Sequence, residues 1–376
     1  MKNSQPVNPS ETGLVQSLPV KEFARDNSLG AGERIVIVIK SLDQKERRER
    51  LICSAKSGTL GRIEPRPVAQ GLAVCTELVP DSKISTSGNC WIMELEEPRG
   101  FAKLPNDTSA ISEIGQISIF DSNLKQVNTL KHDFFGFLHT IILSADREKM
   151  LVVSGGYDSI FEVDIKTGAI KWSWFGWDHG YNPRQQDGAF LTYDRRQAEA
   201  WQRQGKKAQF VAPKLYGKQG LVTAGRTTFP NSAYYNIYKD ETTIVATLFH
   251  AGELIEIDKK TGDVFVRLSG MNIPHSILPW ESGWLVTSTR EGCFFTLSPT
   301  FQVERQVSFT DMPGKPAGME EEEWLQSVSP LSDGRQLLAV DANRGLFVID
   351  VENRKWNVFD IDENWCVQEV YSLGSA

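Results

Sequence analysis

Cysteine is scarce in this chain of 376 residues, with five in all (Cys53, Cys75, Cys90, Cys293, Cys366). An odd number without any CxxC pair suits neither a disulfide framework nor a thiolate zinc site, and reads as reduced thiols. Long apolar stretches are also missing. The longest, Ile35-Val36-Ile37-Val38-Ile39, falls far short of the roughly 20 residues that cross a bilayer. Positive charge is in deficit, 41 Lys and Arg against 48 Asp and Glu for a net charge of −7, with an isoelectric point near 5.5. No global field exists to hold a polyphosphate backbone, which argues against nucleic acid as a partner. The opening MKNSQPVNPSETG lacks the apolar core and small-residue cleavage site of a secretory signal. A cytoplasmic protein with no membrane partner is expected.

What the sequence does contain is enough apolar side chain for a large core, at 40% hydrophobic and 24% charged residues. Residues 1–31 are rich in Ser, Pro, Asn, Gly and Glu and are expected to form a disordered tail. Residues 32–376 are expected to form a single domain. Its β-branched and aromatic runs are short and separated by Gly, Asp, Asn and Pro, the pattern of many antiparallel strands.

Five hairpin-like segments recur: Ile117–Leu130, Ile160–Trp174, Leu254–Leu268, Phe294–Val307 and Leu346–Phe359, spaced by about 43, 94, 40 and 52 residues. Strand repeats of this length are the mark of propeller blades. In two copies the turn is Asp164-Ile-Lys-Thr-Gly168 and Asp258-Lys-Lys-Thr-Gly262. There Asp can bond its own backbone and Gly can supply a positive φ. These turns resemble the "D-x-x-T-G-x-x-x-W" blades of quinoprotein-like and arylsulfotransferase-like propellers, a resemblance of fold. Two further runs precede each hairpin, so an all-β propeller of six blades is expected, with seven as the alternative. The last blade would join Cys366–Leu373 to Arg34–Lys40, Arg50–Ala55 and Leu60–Pro65, closing the ring with both termini.

Residues 182–229 interrupt the rhythm as an insertion. Asp194 as N-cap, Gln197 three positions on and Gly205 as the stop predict a short helix there. Between Arg184 and Arg226 stand nine Lys or Arg against three Asp or Glu. A lid favouring anionic substrates is one reading of that excess, and a solvated excursion the other.

Propeller topology sorts connections by face, and all five histidines map to one face. His139 and His275 begin innermost strands, His250 ends a second strand, and His179 and His132 lie on paths between blades. Imidazoles gathered from separate blades suit a transition metal, with Fe first and Mn, Zn or Cu as alternatives. His139, His179, His250 and His275 are the candidate ligands. Asp133, Asp178, Glu253 and Glu291 are candidate carboxylates behind them.

Glu253, Arg290 and Tyr157 are the candidate catalytic residues. Asn231, Gln326 and Gln368, at strand starts equivalent to His139 and His275, join Trp177 and Arg344 as candidate substrate contacts. The run Glu320–Glu323 reads as a solvated acidic loop, and Trp172 and Trp174 as packing between blades.

Three functions are open on this reading. The first is a metalloenzyme, oxidoreductase or lyase, acting on a small organic molecule, anionic if the insertion faces it. Its arrangement looks like that of carotenoid-cleavage-type oxygenases and of manganese-dependent propeller lyases. The second is metal-free group transfer of the arylsulfotransferase-like type, through His139, His250 or His275. The third is a binding scaffold without catalysis. A monomer or small homo-oligomer is expected.

Overall fold

The computed structural model describes residues 7–9, 15–57, 61–214 and 217–375. The fold is an all-β, six-bladed propeller, each blade a four-stranded antiparallel sheet in its core. The expected single domain divides into two compact units, residues 1–56, 69–99 and 267–376, and residues 57–68 and 100–266.

The second unit carries three blades. Blade 1 is Gly100–Lys103, Ser109–Ser112, Ile117–Phe120 and Gln126–Leu130; blade 2 is Leu138–Leu143, Lys149–Ser154, Ser159–Asp164 and Ile170–Phe175; blade 3 is Pro230–Tyr235, Thr243–Leu248, Glu253–Asp258 and Val264–Leu268. The Asp–Gly turns form as their residues dictate. Asp164 accepts from the Thr167 amide at 2.8 Å and its hydroxyl at 2.7 Å, and Gly168 takes φ +73°. Asp258 accepts from Lys260 and Thr261, and Gly262 takes φ +78°. Trp174 packs, as expected, with Ala233, Tyr235 and Ile244 of the next blade.

The insertion holds Phe190–Thr192 paired in parallel with Ala208–Phe210, and between them helix α2, Arg195–Arg203. Asp194 caps it by accepting from Arg196 and Gln197 amides, and Gly205 beyond it takes φ +76°. The Gln197 side chain turns to Thr192 instead of completing a capping box.

The first unit carries blade 4 (Pro274–Trp280, Gly283–Ser288, Cys293–Leu297, Val303–Ser308), blade 5 (Leu325–Pro330, Leu337–Asp341, Gly345–Asp350, Lys355–Phe359) and blade 6. Blade 6 joins both termini, with Val367–Ser375 beside Glu33–Ile39, then Gln70–Glu77 and Trp91–Glu96. The central strand Glu33–Ile39 is buried on both faces, which is why its apolar run is continuous.

Three expectations need correction here. Arg50–Ala55 is not a strand: it lies in helix α1, Gln44–Ser57. Asp43 caps this helix through the Glu46 amide at 2.9 Å. Gln44, Arg47 and Leu51 are buried at helical spacing. Residues 61–65 carry no strand, and Leu60 lies outside the described residues. Finally, the N-terminal segment is not wholly a tail. Gln16–Pro19 pairs in parallel with the outer strand of blade 4, and Ala24–Arg25 with that of blade 5. Leu18, Val20 and Phe23 are buried there, so this stretch does bury enough apolar surface to offset its ordering entropy.

Candidate functional site

In five of the six blades the innermost strand slips register near its second residue. The shifts fall between Leu138 and Ile141, Pro230 and Ser232, Pro274 and Ile277, Leu325 and Ser327, and Val367 and Glu369. Such bulges re-aim side chains. His139, Asn231, His275, Gln326 and Gln368 therefore occupy equivalent bulge positions, as their sequence context suggested. All five are buried. In blades 3 and 4 a threonine hydroxyl of the next strand receives amides freed by the bulge: Thr247 from Ser232, and Thr287 from His275 and Ser276.

In the first unit this row is His275, Gln326 and Gln368, and around it is a concentration of positive charge. Lys40 follows the buried IVIVI strand. Arg47 projects from α1, its guanidinium 5.3 Å over the Trp324 ring, with contacts of 3.4 Å to Gln44 and Gln326. Trp324 in turn donates to Gln326 at 2.8 Å and packs edge-on to His275 at 5.7 Å. Arg99 pairs with buried Glu97 at 3.1 Å.

Burial, then repulsion from Arg47 and Arg99, pushes the Lys40 ammonium well below its ordinary value. Burial also lowers Arg47. The His275 imidazole falls to about 3, through burial and then the charges of Lys40, Arg47 and Arg99, against a raising contact from the Ile273 carbonyl. It is neutral, with Nδ1 placed 3.2 Å from that carbonyl and 3.0 Å from the Thr289 hydroxyl.

Among the described residues, no carboxylate pairs with Arg47 and the Lys40 ammonium has no side-chain partner. The Gln368 Oε1 is buried and accepts no hydrogen bond. A buried guanidinium without an ion-pair partner costs several kcal/mol, a cost that an anion beside Arg47 would offset. Lys40, Arg47 and Arg99 were not singled out from sequence. The signal for Arg47 was there, as Asp43-Gln-Lys-Glu46 is a helix-start pattern.

The remaining histidines belong to the second unit and are held by ordinary packing. His139 meets Phe229 edge-on at 5.4 Å. His179 stacks on Trp174 at 5.8 Å and 14°. His250 places Nε2 2.8 Å from the Thr223 carbonyl and is lowered by burial. His132 accepts from the Phe134 amide. Among the described residues no group of three or more His, Cys, Asp or Glu is gathered for a metal. A metal cation at His275 would also face Lys40, Arg47 and Arg99, so this donor set does not fit the expected centre.

The other candidates have structural partners. Arg344, a candidate substrate contact, is engaged by Asp341 at 2.5 Å and Glu323 at 2.8 Å, and Lys315 reaches Glu323 at 2.7 Å. The acidic run is thus partly buried in ion pairs, because Glu322 also pairs with Arg290 at 3.5 Å. Glu253 accepts from the Tyr181 hydroxyl at 2.7 Å, and burial raises its carboxyl. Tyr157 is fully buried, edge-on to Phe134. Trp177 stacks on Phe175 at 5.5 Å. Asp133 pairs with Lys214 at 2.9 Å, and Glu291 accepts from Ser288.

The insertion's positive charge is largely spent internally. Arg184 and Lys207 bind Asp187, Arg195 covers Phe210 and Lys206 covers Phe190. An open recess of ≈ 450 Å³ lies beside it, lined by Ile63, Arg184, Asp187, Leu221 and Val222 among others.

The class these sheets define is the β-propeller. No protein-family model matches the chain, and no curated protein matches it either. Solved structures do resemble it. A protein of unknown function from Bacteroides caccae is 15% identical with a TM-score of 0.54, covering 90% of this chain and 98% of that one. The Cps50 (Swd1) β-propeller domain of Myceliophteria thermophila is 13% identical at 0.45, covering 80% and 81%. Virginiamycin B lyase from Staphylococcus aureus is 11% identical at 0.42, covering 70% of each chain. These are likenesses of fold alone. No helix among the described residues is long and apolar enough to cross a membrane.

Proposed function

We propose that this propeller binds a small organic anion, a carboxylate or phosphate ester, in its first unit at Lys40, Arg47, Gln326 and Gln368. The observation that carries the reading is the buried Arg47 guanidinium, in an ion pair with no carboxylate among the described residues, since Asp341, the nearest acid to act on it, is engaged by Arg344. Folding such charges inward is costly, and a bound anion offsets the cost. The amides of Gln326 and Gln368 add neutral donors and an acceptor, which favours an organic ligand with a hydroxyl or carbonyl over a bare ion. Arg99, partly neutralised by Glu97, adds long-range attraction. The site as read uses no metal, since its surroundings repel one. A cytoplasmic location, with all five cysteines free, belongs to the same reading.

Isothermal titration of the full chain with malonate tests it. One molecule is expected to bind per chain, with affinity falling at high salt and at least about ten-fold in Lys40→Met and in Arg47→Met, the equivalent of losing one charge-assisted contact. Absence of binding, or equal binding by folded variants, overturns the reading.

A further inference from the structure

We infer that Cys75 and Cys90 form a redox-active pair, which a low-molecular-weight disulfide oxidises to a protein disulfide. The inference stands apart from the anion site and uses none of its residues. Its basis is the geometry where the outer strand of blade 6 begins. Cys75 lies on Gln70–Glu77 opposite Trp91, the first residue of that outer strand. Its carbonyl also accepts from the Cys90 amide at 2.8 Å, so Cys90 and Trp91 both face it, as at a bulge. A main-chain bond of this kind holds two Cα atoms about 5.5 Å apart, inside the span of about 4.4–6.8 Å that a disulfide bridges. The two thiols are in hydrogen-bonding contact, and both are free.

The two side chains differ as an attacking and a resolving thiol must. Cys90 is exposed and Cys75 is buried. The turn before Cys90, Ser85-Thr-Ser-Gly88-Asn89, is made of small polar residues, and beyond its chain neighbours no heavy atom lies within 4 Å of where a Cβ on Gly88 would stand. A reactant therefore has open space beside Cys90. Burial, then the neighbouring Cys90, pushes the Cys75 thiol up to about 12, against a lowering influence from Arg34. Cys75 thus stays protonated until a sulfur bonded to Cys90 is brought against it. The bond closes residues 76–89 into a loop already held at two points. Leu78 exchanges main-chain bonds with Gly32 and Glu33, and Ile84 donates to Asp360. Trp91–Glu96 ends the blade 6 sheet among the described residues, whereas blades 4 and 5 carry a fifth strand. The disulfide fastens the start of that edge.

Two exchanges complete the reaction. The Cys90 thiol passes its proton to water and attacks one sulfur of the oxidant. A bond from Cys90 to that sulfur forms, the oxidant's own S–S bond breaks, and the first small thiolate departs and takes up a proton. Cys75 then attacks the Cys90 sulfur, and its proton goes to the second departing thiolate. One disulfide and two cysteine thiols give a protein disulfide and two small thiols, the cysteines losing two electrons and the oxidant gaining two.

The test incubates the full chain with glutathione disulfide, blocks the remaining thiols with N-ethylmaleimide in urea, and maps tryptic peptides by mass. Cleavage after Arg62, Lys83 and Arg99 places Cys75 in peptide 63–83 and Cys90 in peptide 84–99. The two peptides are expected to be joined. Glutathione left on Cys90 should stay below about one tenth of the joined product, because a neighbouring thiol competes at high effective concentration. The parent measurement needs no variant. Cys75→Ser should trap glutathione on Cys90 as a stable adduct, and Cys90→Ser should leave Cys75 unoxidised. The parent treated in urea should scatter its pairing over all five cysteines. A stable glutathione adduct on Cys90 of the folded parent with Cys75 still free overturns the inference. So does pairing of either with Cys53, Cys293 or Cys366 in the folded chain, or a Cys90 that does not react.

Discussion

Asp158 offers the sharpest stability prediction, because its carboxylate replaces a piece of secondary structure. It occupies a left-handed turn, φ +50°, after the second strand of blade 2, and is fully buried. One oxygen accepts from the Thr227 amide at 2.7 Å and its hydroxyl at 3.2 Å. The other accepts from the Thr228 amide at 3.1 Å, its hydroxyl at 3.0 Å and the Phe229 amide at 2.6 Å. In Asp158→Ala, three buried backbone N–H groups lose their acceptor, at about 1–3 kcal/mol each, so a loss of about 3–9 kcal/mol is expected. At about 2.1 cal/mol/K per residue, a chain of this length that unfolds as one loses roughly 4–11 °C of Tm. Asp158→Asn keeps one acceptor oxygen and should lose about half as much. Thermal melts followed by circular dichroism measure both. A Tm for Asp158→Ala within about 1 °C of the parent would refute the claim that this carboxylate fastens 227–229 to blade 2.

Three other outcomes follow from the geometry. Arg344→Met strands Asp341 as a buried carboxylate and leaves Glu323 to Lys315 alone, and should cost about 3–5 kcal/mol in urea unfolding; a smaller loss in Asp341→Asn/Arg344→Met would show that the pairing matters. Burial raises the Glu369 carboxyl to about 8, against a lowering contact from Tyr371. The folded state then binds more protons than the unfolded state between about pH 4.5 and pH 8, so stability falls as pH rises through that window, by at most about 1.4 kcal/mol per pH unit. Glu369→Gln should flatten that slope, and parallel slopes would contradict the assignment. Elemental analysis of protein purified without added metal should find transition metals well below one per chain; one equivalent lost on substituting His139 or His275 would restore the metalloenzyme.

The blades were legible because each hairpin repeats a local code, strand alternation followed by an Asp–Gly turn, that needs no distant partner to be recognised. The equivalence of His139, Asn231, His275, Gln326 and Gln368 was legible for the same reason, since a repeat aligns its own positions. Helix α1 was not. Its Leu51-Ile52-Cys53 looked like a strand fragment, while its buried face is carried by Gln44 and Arg47, which periodicity of apolar residues does not count. Lys40, Arg47 and Arg99 were passed over along with it, because histidines drew attention as a scarce reactive type. The cations that decide the chemistry come from residues 40, 47 and 99, joined only once the termini share blade 6. For Arg344 and Glu253, sequence shows a position near a turn but not the partner that the side chain meets there.

The central claim is that an anion belongs beside Lys40 and Arg47. Anomalous diffraction from crystals soaked in bromide addresses it directly, because bromide is a small anion whose position is read without assuming a ligand. The account predicts a peak in contact with the Lys40 nitrogen and the Arg47 guanidinium, lost in Lys40→Met. Peaks confined to exposed arginines, with water alone at Lys40, would contradict it.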